Sequence, residues 1–179
     1  MMEQPTGEVL DPYAEDLIES LRSFGYDLPT ALADLIDNSV RAEARHVSIE
    51  YCSDPGGSWV AVVDDGEGMD EEELHEAMRF ARNPHDGRTW RDLGRFGLGL
   101  KTASLSQARV LTVVSRGQSG RASTRTWDID HVNRHRKWFV ITEPDEEVRR
   151  ITAELGFEGR GTVVLWRHLD RLGEGAELS

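Results

Sequence analysis

Three short stretches of this chain concentrate the residues that could do chemistry. Residues 31–40 read Ala-Leu-Ala-Asp-Leu-Ile-Asp-Asn-Ser-Val. At about 100° per residue, Leu32, Leu35, Ile36 and Ser39 or Val40 make one apolar stripe. Asp34 and Asn38 stack one turn apart on the opposite face, with Arg41 beside them. A short carboxylate and a short amide have little reach, so this face is suited to holding something close to the helix. The second stretch, Asp64-Asp65-Gly66-Glu67-Gly68-Met69, follows the apolar run 59–63. A carboxylate at the end of a buried strand accepts a hydrogen bond from an exocyclic amine such as that of adenine. Gly66 and Gly68 let the chain turn tightly and let a flat ring approach the backbone, and Met69 supplies an adaptable apolar wall.

The third stretch is Gly94-Arg95-Phe96-Gly97-Leu98-Gly99-Leu100-Lys101. Glycines leading into a helix offer backbone amides at the positive end of its dipole, a natural anion site. Lys101 adds a point charge toward a phosphate. With phosphates there, the Asn38 amide oxygen is a fair ligand for Mg²⁺, which takes few protein ligands and keeps several waters. Asp34, one turn earlier, is placed to orient and deprotonate a water aimed at a γ-phosphate. The three stretches together read as a nucleotide site. Other nucleotide and metal motifs fit less well. In a Walker pattern Leu100 would stand where the lysine belongs, and an EF-hand counted from Asp64 would put His75 where a glutamate is required.

The elements that must position these residues follow from periodicity. Asp11-Pro12 opens a helix carrying Ala14, Leu17, Ile18 and Leu21 and stopping near Gly25. Asp27-Leu28-Pro29 opens the helix of Asp34. Strands are expected at 46–52 and 59–63, the second buried on both faces. Asp70 and Glu73 form a capping box for a helix with Leu74, Ala77, Met78 and Ala81 on one side. The polar segment 83–96 reads as a lid. A helix over 100–107, strands at 109–115, 122–128, 137–142 and 161–167, and a short helix over 145–155 complete the chain. Regular βαβ alternation is missing, so the expected fold is an α/β (α+β) two-layer sandwich. Its sheet is mixed but mainly antiparallel, with helices on one face.

The 179 residues suit one domain, with 1–10 as a loose lead-in. A formal net charge of −12 argues against the nucleic-acid backbone as main partner. A basic face over 116–137, or other domains, would have to supply any such contact. The single cysteine rules out a disulfide framework. With no apolar run of membrane length and no signal-like start, the expected location is cytoplasmic, without membrane association. Six scattered histidines show no metal spacing.

In order and spacing, the motifs resemble the GHKL ATPases: gyrase B subunits, MutL, the large heat-shock chaperone, histidine kinases and MORC proteins. The resemblance runs from about Ser20 to Trp166. Asp34-x-x-x-Asn38, Asp64-x-Gly66-x-Gly68, Gly94-x-x-Gly97-x-Gly99 and Gly161-Thr162 match the family's successive motifs. Gly97-Leu98-Gly99-Leu100-Lys101 and the ending Gly161-Thr162-Val163-Val164-Leu165-Trp166 look most like the MORC type and its bacterial relatives. The resemblance implies the Bergerat fold and an ATP-binding domain that hydrolyses ATP with Mg²⁺ and homodimerises as the lid closes. It implies Asn38 as the Mg²⁺ ligand, and Asp64 on the adenine amine, partly through water supported by Thr162. Gly94, Gly97, Gly99 and Lys101 would hold the phosphates, within a nucleotide-contacting set that adds Arg95, Phe96, Leu98, Leu100, Gly66, Gly68 and Met69.

Two departures matter. Hydrolytic members carry glutamate where this chain has Asp34, and Arg41-Ala42 replaces a common Asp-Ala pair. The family's γ-phosphate lysine comes from a second domain that these residues are not expected to supply. The chain is therefore read as an N-terminal module of a longer protein, or as one that works without that domain. The alternative functions are an ATP-gated interaction module without turnover and a histidine-kinase-type ATP-binding domain.

Overall fold

The computed structural model describes residues 12–23, 26–54, 57–80 and 99–170. In chain order the elements are α1 (Ala14–Arg22), α2 (Leu28–Arg41), β1 (Val47–Asp54), β2 (Gly57–Asp64), α3 (Glu71–Met78) and α4 (Gly99–Gln107). They continue with β3 (Ala108–Arg116), β4 (Ala122–Asp128), α5 (Ile129–His135), α6 (Glu146–Glu154) and β5 (Gly161–Leu169). The strands form one sheet in the order β1-β2-β5-β3-β4, and all four pairings are antiparallel. The last strand is thus inserted in the middle, between the first hairpin and the second.

Local chemistry explains the element starts. The Asp27 carboxylate caps α2 by accepting from the Thr30 amide at 2.8 Å, with Pro29 in the first turn. At α3 the capping box forms, and Glu73 accepts from the Asp70 amide at 2.9 Å. α1 opens two residues later than its sequence suggests: Tyr13 is the N-cap, so Pro12 precedes the cap instead of taking the first helical position. Asp11 lies outside the described residues, as do Gly25 and Ala81.

The sheet has two buried faces. On the front, Val60 and Val62 of β2, Leu111 and Val113 of β3, and Val164 and Trp166 of β5 meet the apolar sides of α1 to α5. Helix α2 contributes Ala31, Leu35 and Ser39 as its buried line, with Val40 left exposed at its end. This is the two-layer sandwich. On the back, Trp59, Ala61, Val114, Val163 and Leu165 pack under Val148 and Ile151 of α6. One helix therefore covers the second face, where helices were expected on one face alone. Arg167, pointing to that face, joins it to the start of α6 through Asp145 at 2.9 Å and Glu147 at 2.7 Å.

Residues 137–142 do not form the expected strand. A single bridge pairs Ile141 with Thr126, and the chain before it makes α5, capped by the Asp128 carboxylate on the His131 amide. With only Ile129 and Val132 buried along seven residues, α5 is too short to show a period. Trp138 instead joins Phe80 and Trp127 in an aromatic cluster with centroids 5.0–6.0 Å apart.

Replacing the fully buried Ile151 of α6 by alanine is expected to cost about 2–5 kcal/mol in urea unfolding. A loss below about 1 kcal/mol would show that α6 does not hold the back face.

Candidate functional site

One row across the sheet organises the site. Asp64 at the end of β2 stands opposite Thr162 of β5, which stands opposite Ser115 of β3. All three point to the front face, beyond the apolar core. The Asp64 carboxylate is 7% exposed. Its Oδ2 accepts from the Ser39 hydroxyl of α2 at 2.9 Å, and its Oδ1 from the Gly66 amide at 2.9 Å. The Thr162 backbone amide is a further donor to it. Burial pushes the Asp64 carboxyl above the ordinary aspartate value, against these donors, which pull it down. The Ser115 hydroxyl bonds Thr162 Oγ1 at 2.8 Å, donates to the Gly161 carbonyl at 3.0 Å and accepts from the Met69 amide at 2.8 Å.

The segment after Asp64 is folded back hard against its neighbours. Asp65 points the other way from Asp64. It accepts from the Arg45 and His46 amides and pairs with the His46 ring at 2.7 Å, which holds its pKa down at about 2. The Glu67 amide donates to the Ala42 carbonyl at 2.8 Å. A side chain on Gly66 would sit 2.7 Å from that same carbonyl. Gly68 adopts φ +62°, and a Cβ there would stand 2.1 Å from the Arg116 carbonyl. Gly161 is tighter still: its Cβ would meet the Asp64 carbonyl at 1.9 Å. Met69, half-buried, lies at the edge of the front core.

Asp34 and Asn38 lie half-buried on α2, one turn apart. The Cβ position of Gly99, which begins α4, is 3.9 Å from Asp34 Oδ2, so the helix of Asp34 meets the α4 end of the glycine loop. Two side chains of the expected nucleotide-contacting set are buried against protein. Leu100 packs into the front core. Lys101 is 1% exposed, and its ammonium donates to the Ala77 carbonyl of α3 at 2.7 Å, 5.8 Å from the Phe80 ring centre. The first-turn amides of α4 lie at the helix end that carries Gly99. Gly94, Arg95, Phe96, Gly97, Leu98 and the lid segment 83–96 lie outside the described residues.

The basic stretch 116–137 is not one continuous basic surface. Arg125 is buried and paired with Glu71, Arg136 binds Glu15, and Arg116 donates to the Gly120 carbonyl. Among the described residues no group of three or more His, Cys, Asp or Glu side chains could hold a metal ion. Nor is any helix there long and apolar enough to cross a membrane.

Residues 26–162, which carry this whole row and the α2–α4 junction, match the family model of histidine kinase-, DNA gyrase B- and HSP90-like ATPases. The chain belongs to this ATPase family. Within it, the chain is similar to ATPase morc-1 of Caenorhabditis elegans, 32% identical over 87 residues, or 49% of this chain and 10% of the relative. It is similar to ATPase MORC2 of Homo sapiens, 33% identical over 78 residues, or 42% of this chain and 8% of the relative. Protein MICRORCHIDIA 6 of Arabidopsis thaliana matches at 29% over 101 residues, or 54% and 15%. The matched stretch is thus a small part of each of these relatives, and the domain is of the GHKL, MORC-like type.

Ser39, Ala42 and Ser115 bond the Asp64 row and its turn, roles that motif reading passes over. Ser39 and Ala42 stand in the Asn-Ser-x-x-Ala run itself. Ser115 carries a fainter signal, a lone small hydroxyl near the end of an apolar strand. Ser115→Ala should cost about 1–3 kcal/mol in urea unfolding, because the buried Met69 amide and Gly161 carbonyl lose their partner. A neutral effect would contradict that bridging role.

For Asp64 the raised folded value means that its contribution to stability is full below the ordinary aspartate range. It is lost as pH rises through the folded value. Asparagine does not titrate. The stability of Asp64→Asn relative to wild type should therefore improve between about pH 3 and pH 7. A flat difference would contradict the raised value.

Proposed function

We propose that this domain binds ATP with Mg²⁺, hydrolyses it slowly, and dimerises as residues 83–96 close over the nucleotide. The observation that carries the reading is the buried Asp64 carboxylate, fixed by Ser39, Gly66 and Thr162 beside a glycine turn. It is an acceptor held at the end of a strand, where the adenine amine would bond to it directly and through a water supported by Thr162. The phosphates would then lie toward Gly94, Gly97 and Gly99 and the first-turn amides of α4.

A magnesium ion fits the chemistry of Asn38. The amide is a hard oxygen donor, half-buried one turn from Asp34, and Mg²⁺ bound to nucleotide phosphates needs few protein ligands. When bound, the ion would neutralise charge on the phosphates. Asp34 is the general base of this proposal, orienting a water for in-line attack and taking its proton. Its side chain is one methylene shorter than the family's glutamate, and a misplacement of about 1 Å costs ~100-fold in rate. That length favours a second reading, an ATP-gated interaction module that changes partner without turnover. A cytoplasmic location suits a sequence with a single cysteine, Cys52. Any nucleic-acid contact would come through other domains or through the remaining basic residues of 116–137.

Nucleotide affinity of wild type and Asp64→Asn tests the binding reading, with at least tenfold weakening expected from a lost buried hydrogen bond. Equal affinity would sink the adenine assignment. Under single-turnover conditions Asp34→Asn should abolish phosphate release while ATP still binds, and Asp34→Glu should speed it. An unchanged, measurable rate in Asp34→Asn would remove Asp34 as base.

A further inference from the structure

Arg160 is the last residue before β5, and it reaches across to the turn that follows Asp64. Its guanidinium donates to the Glu67 carbonyl from Nη2 at 2.8 Å and from Nε at 3.2 Å. The Glu67 amide donates in turn to the carbonyl of Ala42, the C-cap of α2, at 2.8 Å. Both backbone groups of Glu67 are therefore held, one by α2 and one by the chain entering β5. The next residue, Gly68, has φ +62°. A glycine accepts either orientation of the peptide before it, so nothing within Glu67-Gly68 itself fixes that plane. The Cβ position of Gly68 is 2.9 Å from the Gly161 carbonyl, so the turn touches β5 at the residue after Arg160. Arg160 and Glu67 are both exposed.

We propose that Arg160 is a positioning residue for base recognition, its guanidinium fixing the Glu67–Gly68 peptide plane and so the glycine turn beside Asp64. The proposal rests on the adenine site proposed at Asp64. A trans peptide is one rigid plane, so holding the Glu67 carbonyl also sets the Gly68 N–H on the opposite side. A flat ring then meets a backbone already in place, and less ordering remains to be done on binding. A lysine at this position would keep the charge and supply a point donor, without the two donors of the guanidinium fork. Because both partners are exposed, water can take over the Glu67 carbonyl when Arg160 is truncated. The loss therefore belongs to binding, not to folding.

The contact and its consequence are read separately on the 179-residue chain. Carbon-13 NMR of the Glu67 carbonyl reads the contact. Arg160→Ala should move its resonance, and an unmoved one overturns the contact and the proposal with it. Titrations with adenosine and with ATP read the consequence. Arg160→Ala should weaken both by a similar factor, about fivefold, the effect of one lost hydrogen bond. Arg160→Lys, which keeps a donor, should recover at least part of that loss. The urea midpoint of Arg160→Ala should match that of wild type. A loss for ATP with none for adenosine overturns the proposal in favour of attraction between the Arg160 charge and the phosphates. A lowered urea midpoint beside the weaker binding overturns it in favour of a folding role. Unchanged affinities in Arg160→Ala beside weakened ones in Asp64→Asn overturn the positioning role and leave the adenine site standing. Unchanged affinities in Asp64→Asn overturn the adenine site and the positioning role together.

Discussion

Burying one carboxylate, that of Asp64, is the constraint on which the rest of this structure depends. A carboxylate withdrawn from water at the end of a strand is costly unless donors meet it. Here they come from three directions: Ser39 on α2, the Gly66 amide in the following turn and the Thr162 amide on β5. Each donor fixes an element. Ser39 sets the rotation of α2, with Asp34 beside the start of α4. Thr162 requires β5 to enter beside β2, so the last strand of the chain becomes a central strand of the sheet. The Gly66 amide requires a turn tight enough that Gly161 and Gly68 admit no side chain.

The second support is α4, and it works mostly through burial. Its polar residues Lys101, Ser104, Ser106 and Gln107 are almost entirely enclosed. Lys101 ties it to α3, Gln107 to the start of α2, and the Leu105 carbonyl accepts from Arg22 of α1. A helix so tied presents Gly99 and its first-turn amides at a fixed place beside Asp34. In the proposed function, recognition of the base and handling of the phosphates would rest on different elements, β2 with β5 in one case and α2 with α4 in the other. Both are joined through α2.

Much of this was legible in the sequence, for identifiable reasons. The α2 start was written in Asp27 and Pro29, the α3 start in Asp70 and Glu73, and the β2 strand in an unbroken apolar run ending in a carboxylate. Gly66 and Gly68 signalled a tight turn, and the backbone around both leaves no room for a side chain. The run 59–63, read as buried on both faces, already required something over the back of the sheet, and α6 is that cover. Long-range pairings were not legible: nothing local says that Thr162 will stand between Asp64 and Ser115. Nor does residue type say where a lysine beside a glycine loop will point. The carbonyl of Ala77 decides that, and it is 24 residues away in the chain.

The most direct measurement compares calorimetric binding of ATP and inosine triphosphate in the presence of Mg²⁺. Inosine carries a carbonyl where adenine carries its amine. Facing an ionised Asp64, which only accepts, that carbonyl would meet a second acceptor. ATP should bind, and inosine triphosphate should bind roughly 100-fold more weakly or worse, as expected where a buried polar group loses its partner. Equal affinity for the two nucleotides would contradict Asp64 as the reader of adenine.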